Sequence, residues 1–134
     1  GFCGETEQDH KDTLTLMEEV VFDSAFMFAY SERPGTLASR KYPDDIPYEL
    51  KTRRLNEIIA LQGRMSLKSN EKEVGRILKV LVEGPSKKNQ EELCGRASSN
   101  KMCVFPSRGE KAGDYCEVEV VSVTSATLLC KRLD

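Results

Sequence analysis

The chain of 134 residues lacks the long apolar run that a membrane span requires. No apolar stretch approaches the roughly 20 residues that cross a bilayer, which excludes a transmembrane helix. A secretory signal is also missing, because the first residues contain neither a basic region nor an apolar core. We therefore expect a cytoplasmic protein with no membrane partner. Because the sequence does not begin with Met, we also expect it to be a piece of a larger protein.

Cysteines spaced for metal ligation are absent as well. The five cysteines are an odd number and include no C-x-x-C pair, which argues against a zinc site and against a disulfide framework. Three of them lie in apolar, strand-like runs, where a free thiol packs as a small hydrophobic group. Free thiols fit a reducing compartment. The only histidine, His10, lies on the apolar stripe of a predicted helix, so packing is favoured over catalysis.

The net charge of −2 is small but unevenly distributed. Acidic residues outnumber basic ones by four in residues 1–73, whereas basic residues outnumber acidic ones by two in residues 74–134. This asymmetry indicates different partners for the two halves, although two ordinary solvated surfaces would have the same composition.

The first half of the sequence predicts an α/β layer. A helix is predicted over 5–21, with Thr6 as its cap in a box-like arrangement. The apolar run 23–30 is too short for a core helix and predicts a buried strand of the parallel type. A loop over 31–43 and a long helix from about 47 to 69 follow.

From Gly75 the apolar period changes to two, which predicts five short strands separated by turns. Such strands predict a small all-β barrel of the OB-like kind, a form in which no strand edge is left exposed. We therefore expect two domains, residues 1–70 and residues 71–134.

The strongest candidate for a binding surface is the hairpin around Ser99-Asn100, read as a two-residue turn. That register pairs Ser98 with Lys101, Arg96 with Cys103 and Cys94 with Phe105 on one exposed face, and turns Ala97, Met102 and Val104 toward the core. Two cations and an aromatic ring on one surface suit RNA phosphates and bases. The candidate RNA-binding residues are Lys87, Lys88, Arg96, Lys101, Phe105 and Arg108. The alternative is a set of solvated charges.

A second candidate site lies in the first half. Gly4 lets the backbone approach a ligand at a turn before a helix, whose first turn favours an anionic group. Ser31 and Arg33 follow the predicted strand, and Arg33 suits a carboxylate or a phosphate. The alternatives are an ordinary tight turn and a loop salt bridge.

Three stretches carry a family resemblance that covers nearly the whole chain. Residues 1–6 (G-F-C-G-E-T) resemble the G-F-P-G-E-T segment of radical S-adenosylmethionine methylthiotransferases, with Cys3 where proline is usual. Residues 26–36 (F-M-F-A-Y-S-E-R-P-G-T) resemble the F-M-F-x-Y-S-x-R-P-G-T segment of the MiaB-type tRNA enzymes, and 47–62 continue the likeness. Residues 75–134 resemble a TRAM domain, through V-L-V-E-G at 80–84 and G-D at 113–114.

The resemblance implies that the first half is a partial radical-SAM barrel and the second half a tRNA-gripping TRAM domain. The parent enzyme would use S-adenosylmethionine and two 4Fe-4S clusters to methylthiolate a prenylated adenosine beside the tRNA anticodon. In that parent, Gly4, Ser31 and Arg33 would face the cofactor. The C-x-x-x-C-x-x-C cluster motif is absent here, so this chain is expected to bind no cofactor and to be inactive alone.

Two alternatives stay open at this point. The chain would be a free-standing TRAM-type RNA-binding module if it had no catalytic parent. A purely structural role in oligomerisation is a further alternative, which agrees less well with these motifs. The predicted strand Ala25–Tyr30 would lack neighbouring strands, so self-association through it is also expected.

Overall fold

A computed structural model describes residues 1–133 and divides the chain into two compact units, Gly1–Met65 and Ser66–Asp134. The first unit contains helices α1 (Glu7–Val20) and α2 (Leu37–Lys41) and most of α3 (Tyr48–Glu71). The second contains the end of α3 and strands β1 (Ile77–Pro85), β2 (Glu92–Ala97), β3 (Met102–Pro106), β4 (Tyr115–Val123) and β5 (Leu128–Arg132). None of the helices described in residues 1–133 is long and apolar enough to cross a membrane.

In the first unit, helix α1 begins as its sequence predicts. The Thr6 hydroxyl accepts a hydrogen bond from the Asp9 backbone N–H, and the Asp9 carboxylate accepts one from the Thr6 N–H, which forms a capping box. Met17 of α1 packs against Leu61 and Met65 of α3 in a small apolar cluster. His10 is buried, and its Nε2 lies 2.6 Å from a Glu57 carboxylate oxygen, in agreement with the predicted packing role.

The predicted strand over 23–30 is not a strand in the structure. This segment lies in neither a helix nor a strand, and it pairs with no strand among residues 1–133. The alternating side chains of Phe26 and Phe28 are largely exposed. An extended segment becomes a strand only when a neighbour satisfies its backbone groups, and sequence pattern alone does not supply that neighbour.

The five strands of the second unit close into a barrel in the order β1-β2-β3-β5-β4. All neighbouring pairs are antiparallel except β3 and β5, which run parallel. Alternate residues point inward and form a single core, whose fully buried members include Val80, Val118, Phe105 and Leu128. The prediction of a five-stranded OB-like barrel is confirmed.

The register of the β2–β3 hairpin differs from the prediction by one residue. The loop has three residues, because the Ala97 N–H donates to the Lys101 carbonyl and the Asn100 N–H donates to the Ala97 carbonyl. Asn100 adopts a left-handed conformation at φ 64°, as in a type I turn followed by a bulge. The structure therefore pairs Arg96 with Met102, and a shift of one residue exchanges the two faces of a strand.

Candidate nucleic-acid interface

The shifted register changes which side chains of the hairpin reach solvent. Phe105 is 1% exposed and belongs to the barrel core, so the prediction that it offers a stacking surface is wrong. Met102 and Val104 lie on the outer face instead of the core, whereas Ala97 faces inward as predicted. The cause is the odd number of loop residues, which turns β3 over relative to β2.

The two hairpin cations are also separated from each other. Arg96 lies on the outer face, where its Nε is 3.3 Å from a Glu83 carboxylate oxygen and its Nη1 donates to the Asn100 carbonyl. The Lys101 side chain is only 10% exposed, and its Nζ donates to the carbonyl and hydroxyl oxygens of Ser69, in the last turn of α3. A lysine at this place satisfies a terminal carbonyl and complements the negative end of the helix dipole. This geometry makes Lys101 a poor phosphate ligand.

Lys87 and Lys88 lie where a nucleic acid could reach them. Both are exposed in the β1–β2 loop, and neither forms an ion pair with another described residue. They line one rim of a groove of about 500 Å³ on the outer face of β2, β3 and β5, which we name the outer groove. The β4–β5 loop forms the opposite rim with Thr124 and Thr127, and Glu92 is the only carboxylate in the described lining.

The floor of the outer groove is apolar and contains four side chains, Cys94, Met102, Val104 and Leu129. They are half-buried or exposed residues that the strand alternation turns away from the core. A floor of thioether, thiol and aliphatic groups between a basic rim and a hydroxyl rim can hold a flat organic ring while the lysines hold anionic groups.

The β4–β5 rim is held in place by the end of α3. The side chain of Asn70 is buried, and its Nδ2 donates to the Thr124 carbonyl oxygen at 2.9 Å. Thr124 in turn accepts hydrogen bonds from the backbone N–H groups of Ala126 and Thr127, which closes the loop on itself. The position of this rim is therefore fixed from within the second unit.

Arg108 lies in the loop between β3 and β4, outside the lining of the outer groove. Its backbone N–H donates to the Glu110 carboxylate, and this hydrogen bond lowers the pKa of Glu110. Glu110 also forms an ion pair with Arg132, whose guanidinium carbon lies 5.9 Å from the centre of the Phe105 ring. These contacts tie the loop to the barrel.

The three candidate residues of the first unit are only partly brought together. Ser31 and Arg33 line an open cavity of about 790 Å³, whose wall also includes Tyr30 and Thr36. Gly4 is not part of that wall. It adopts φ 77°, which favours glycine, and its N–H donates to a carboxylate oxygen of Asp45 at 2.7 Å.

The cysteines do not fit an iron–sulfur cluster. No three His, Cys, Asp or Glu side chains of residues 1–133 converge as metal ligands. Cys103, Cys116 and Cys130 lie buried in the barrel. Burial raises the pKa of the Cys116 thiol, and a hydrogen bond with Cys103 raises that of Cys130. A cluster needs several thiolates at one place, and the described residues of this chain do not supply them.

Comparison with known proteins gives matches for the barrel and for nearly the whole chain. The family model described as TRAM domain matches residues 71–131. The chain is 52% identical over 128 residues to tRNA-2-methylthio-N(6)-dimethylallyladenosine synthase of Phocaeicola vulgatus, covering 96% of this chain and 28% of that protein. The enzyme of the same name from Amoebophilus asiaticus is 54% identical over 129 residues, covering 96% and 26%.

A third relative of the same name, from Chlorobium phaeobacteroides, is 53% identical over 129 residues, and the alignment covers 96% of this chain and 29% of that protein. The chain therefore spans less than a third of the length of these curated relatives. Among solved structures, the apo form of Mycoplasma genitalium RNase R aligns with a TM-score of 0.34 and 8% identity, over 63% of this chain and 18% of that one.

Proposed function

We propose that this chain, which carries a TRAM domain at residues 71–131 and is related to tRNA methylthiotransferases over nearly all of its length, binds tRNA for such an enzyme. The parent activity would be the transfer of a methylthio group to a prenylated adenosine beside the anticodon. The name of the relatives supports the tRNA substrate, and the chain's share of their length supports a part of that enzyme rather than the whole.

The observation that carries the proposal is the position of the outer groove. OB-type barrels bind oligonucleotides on the face of strands 2 and 3, between the loop joining strands 1 and 2 and the loop joining strands 4 and 5. The outer groove occupies that place, with Lys87 and Lys88 on the first loop and Thr124 and Thr127 on the second. Lysine ammonium groups at the rim suit phosphates, and the apolar floor suits an unpaired base.

Finer assignments are part of the same proposal. In the whole enzyme, Ser31 and Arg33 would contribute to the wall of the S-adenosylmethionine site, and Gly4 would shape the neighbouring turn. The two 4Fe-4S clusters would be held outside this chain, because its own cysteines do not fit one. The compartment would be the cytoplasm, where tRNA is modified and where free thiols stay reduced. We retain residue 70 as the functional boundary between the two parts.

A free-standing RNA-binding module is the alternative to an enzyme part. The two differ in what the gene encodes before Gly1, since a C-x-x-x-C-x-x-C segment there belongs only to the enzyme. The chain's relation to the synthases extends over 96% of its length, well beyond the TRAM domain, which favours the enzyme part.

Self-association is proposed for the isolated chain. Phe26 is 95% exposed and Phe28 83% exposed, in the segment Ala25–Tyr30 that pairs with no strand among residues 1–133. Two neighbouring exposed rings favour burial against a second copy. Sedimentation of the chain at rising concentration is expected to show dimers or larger species, and replacing both residues by Ser should give monomers. A monomeric wild type at high concentration would contradict this.

The RNA proposal is tested by titrating the full chain with a labelled tRNA anticodon stem-loop at several salt concentrations. Replacing Lys87 and Lys88 by Ala should weaken binding and reduce the slope of log affinity against log salt by about 1.5, at roughly 0.7–0.9 per phosphate contact. The matched control replaces Lys11 and Lys41, two exposed lysines of the first unit, by Ala. Equal losses in the two double variants would refute the groove as the binding site.

A further inference from the structure

The second unit contains only two aromatic residues, and the structure gives them opposite environments. Residues 66–133 include Phe105 and Tyr115. Phe105 is 1% exposed in the core, whereas Tyr115, the first residue of β4, is 62% exposed on the outer surface. Any aromatic stacking of RNA on this barrel must therefore involve Tyr115, a residue that is not among the candidates predicted from the sequence.

Tyr115 lies in a row of outward-facing residues that crosses three neighbouring strands. Leu81 of β1 is the register partner of Tyr115 on β4 and of Arg96 on β2. Directly paired residues of antiparallel strands project to the same face. The row therefore places an aromatic ring, an aliphatic side chain and a guanidinium side by side on the outside of the barrel.

A lysine orients the tyrosine ring from the neighbouring strand. The Lys79 Nζ lies 5.0 Å from the centre of the Tyr115 ring, within the range of a cation–π contact. Lys79 is two residues from Leu81 on β1 and therefore projects from the same face. The contact leaves Tyr115 mostly exposed, so the ring is presented to solvent beside the lysine.

The charges around this row nearly cancel. Glu83 lies 3.3 Å from Arg96, and Glu117 is the register partner of Lys79. Two carboxylates against two cations provide little attraction for phosphate groups. The chemistry of the row is therefore that of a flat ring and an apolar neighbour, which suits the face of a base more than the backbone of a nucleic acid.

We propose that Tyr115, oriented by Lys79 and bordered by Leu81, is a stacking platform for one unpaired base of the bound RNA. The inference rests on the proposed RNA-binding function and adds a contact outside the outer groove. Stacking requires a base that is not enclosed in a duplex, so the platform selects single-stranded or looped RNA. Because the contact is not ionic, its contribution is independent of salt.

The experiment compares Tyr115→Leu, Tyr115→Val and Tyr115→Phe in the full chain. The probes are a single-stranded 12-nucleotide RNA and the same strand in a duplex, each titrated at two salt concentrations. Tyr115→Leu and Tyr115→Val should weaken binding of the single strand by about five- to 150-fold with an unchanged salt slope. Tyr115→Phe keeps the ring and should bind within about twofold of wild type. The control Tyr48→Leu removes an exposed tyrosine of the first unit and should have no effect.

The outcomes separate this inference from the proposed function. If the wild type binds the anticodon stem-loop but neither probe, only the stacking platform is refuted; if it binds none of the three RNAs, the proposed function is refuted as well. If the wild type binds, but folded Tyr115→Leu and Tyr115→Val bind the single strand as wild type does, only the stacking platform is refuted. Stacking is also refuted if the Tyr115 variants lose as much affinity for the duplex as for the single strand, or if their binding has a changed salt slope. Circular dichroism of each variant confirms the barrel, and the two aliphatic replacements keep the test valid if one misfolds.

Discussion

Replacing Phe105 with Ala is expected to destabilise the barrel rather than to remove an RNA contact. The ring is 1% exposed, lies in the core cluster and has the Arg132 guanidinium carbon 5.9 Å from its centre. Truncating a buried phenylalanine typically lowers the free energy of unfolding by about 3–5 kcal/mol, through lost transfer energy and the cavity left behind. A barrel of this size has little stability in reserve, so the variant should be largely unfolded.

A milder replacement separates stability from binding. Phe105→Leu keeps most of the volume and should lower the free energy of unfolding by about 1 kcal/mol or slightly more. Urea unfolding followed by circular dichroism measures this loss, and an RNA titration of the folded variant should give wild-type affinity. If Phe105→Leu keeps full stability but loses affinity by the roughly 1–3 kcal/mol of a stacked base, the placement of Phe105 in the core is wrong.

The remaining predictions concern packing and pH. A Cβ on Gly95 would collide with the carbonyl oxygen of Leu81, so Gly95→Ala should cost about 1–3 kcal/mol in urea unfolding. The control Gly63→Ala meets nothing within 4 Å inside a helix and should stabilise by up to about 1 kcal/mol. The hydrogen bond from Arg53 lowers the pKa of Glu7 below its ordinary 4.5. The Glu7–Arg53 pair therefore stabilises the fold fully above pH 4.5, and this stabilisation is lost as pH falls through the lowered pKa of folded Glu7. The melting temperatures of wild type and Glu7→Gln should consequently converge in acid. A Glu7→Gln difference that persists in acid would contradict the ion pair as its cause.

Features with short-range causes were predictable from the sequence. The capping box at Thr6 and Asp9 and the period of two beyond Gly75 each depend on neighbours within a few residues, and both were predicted correctly. The closed barrel followed from several such strands in succession.

The hairpin register could not be read in the same way. Ser98, Ser99 and Asn100 suit a two-residue and a three-residue turn alike, and the strand that follows, Met102–Phe105, is apolar at every position. Without alternation the inward face cannot be identified, so one residue of loop length decided whether Phe105 or Met102 reached solvent.

The outer groove was missed for a related reason. Two of its floor residues, Met102 and Val104, are predicted from the sequence to face the core, and Leu129 belongs to an apolar strand; only Cys94 is predicted on an exposed face. Only the barrel's closure shows that they share an exterior face with the loop of Lys87. Lys87 and Lys88 could be predicted because basic residues in a loop are easily recognised in a sequence. The apolar floor beside them could be recognised only from the three-dimensional structure.

Alkylation of Cys94 provides the most direct test that RNA occupies the outer groove. Cys94 is in the floor of that groove, whereas Cys3, also partly exposed, is in the first unit. The chain is treated with iodoacetamide with and without saturating anticodon stem-loop, and the rate at each cysteine is read by peptide mass spectrometry. The account predicts that RNA slows alkylation of Cys94 and leaves that of Cys3 unchanged. Equal Cys94 rates with and without bound RNA would contradict it.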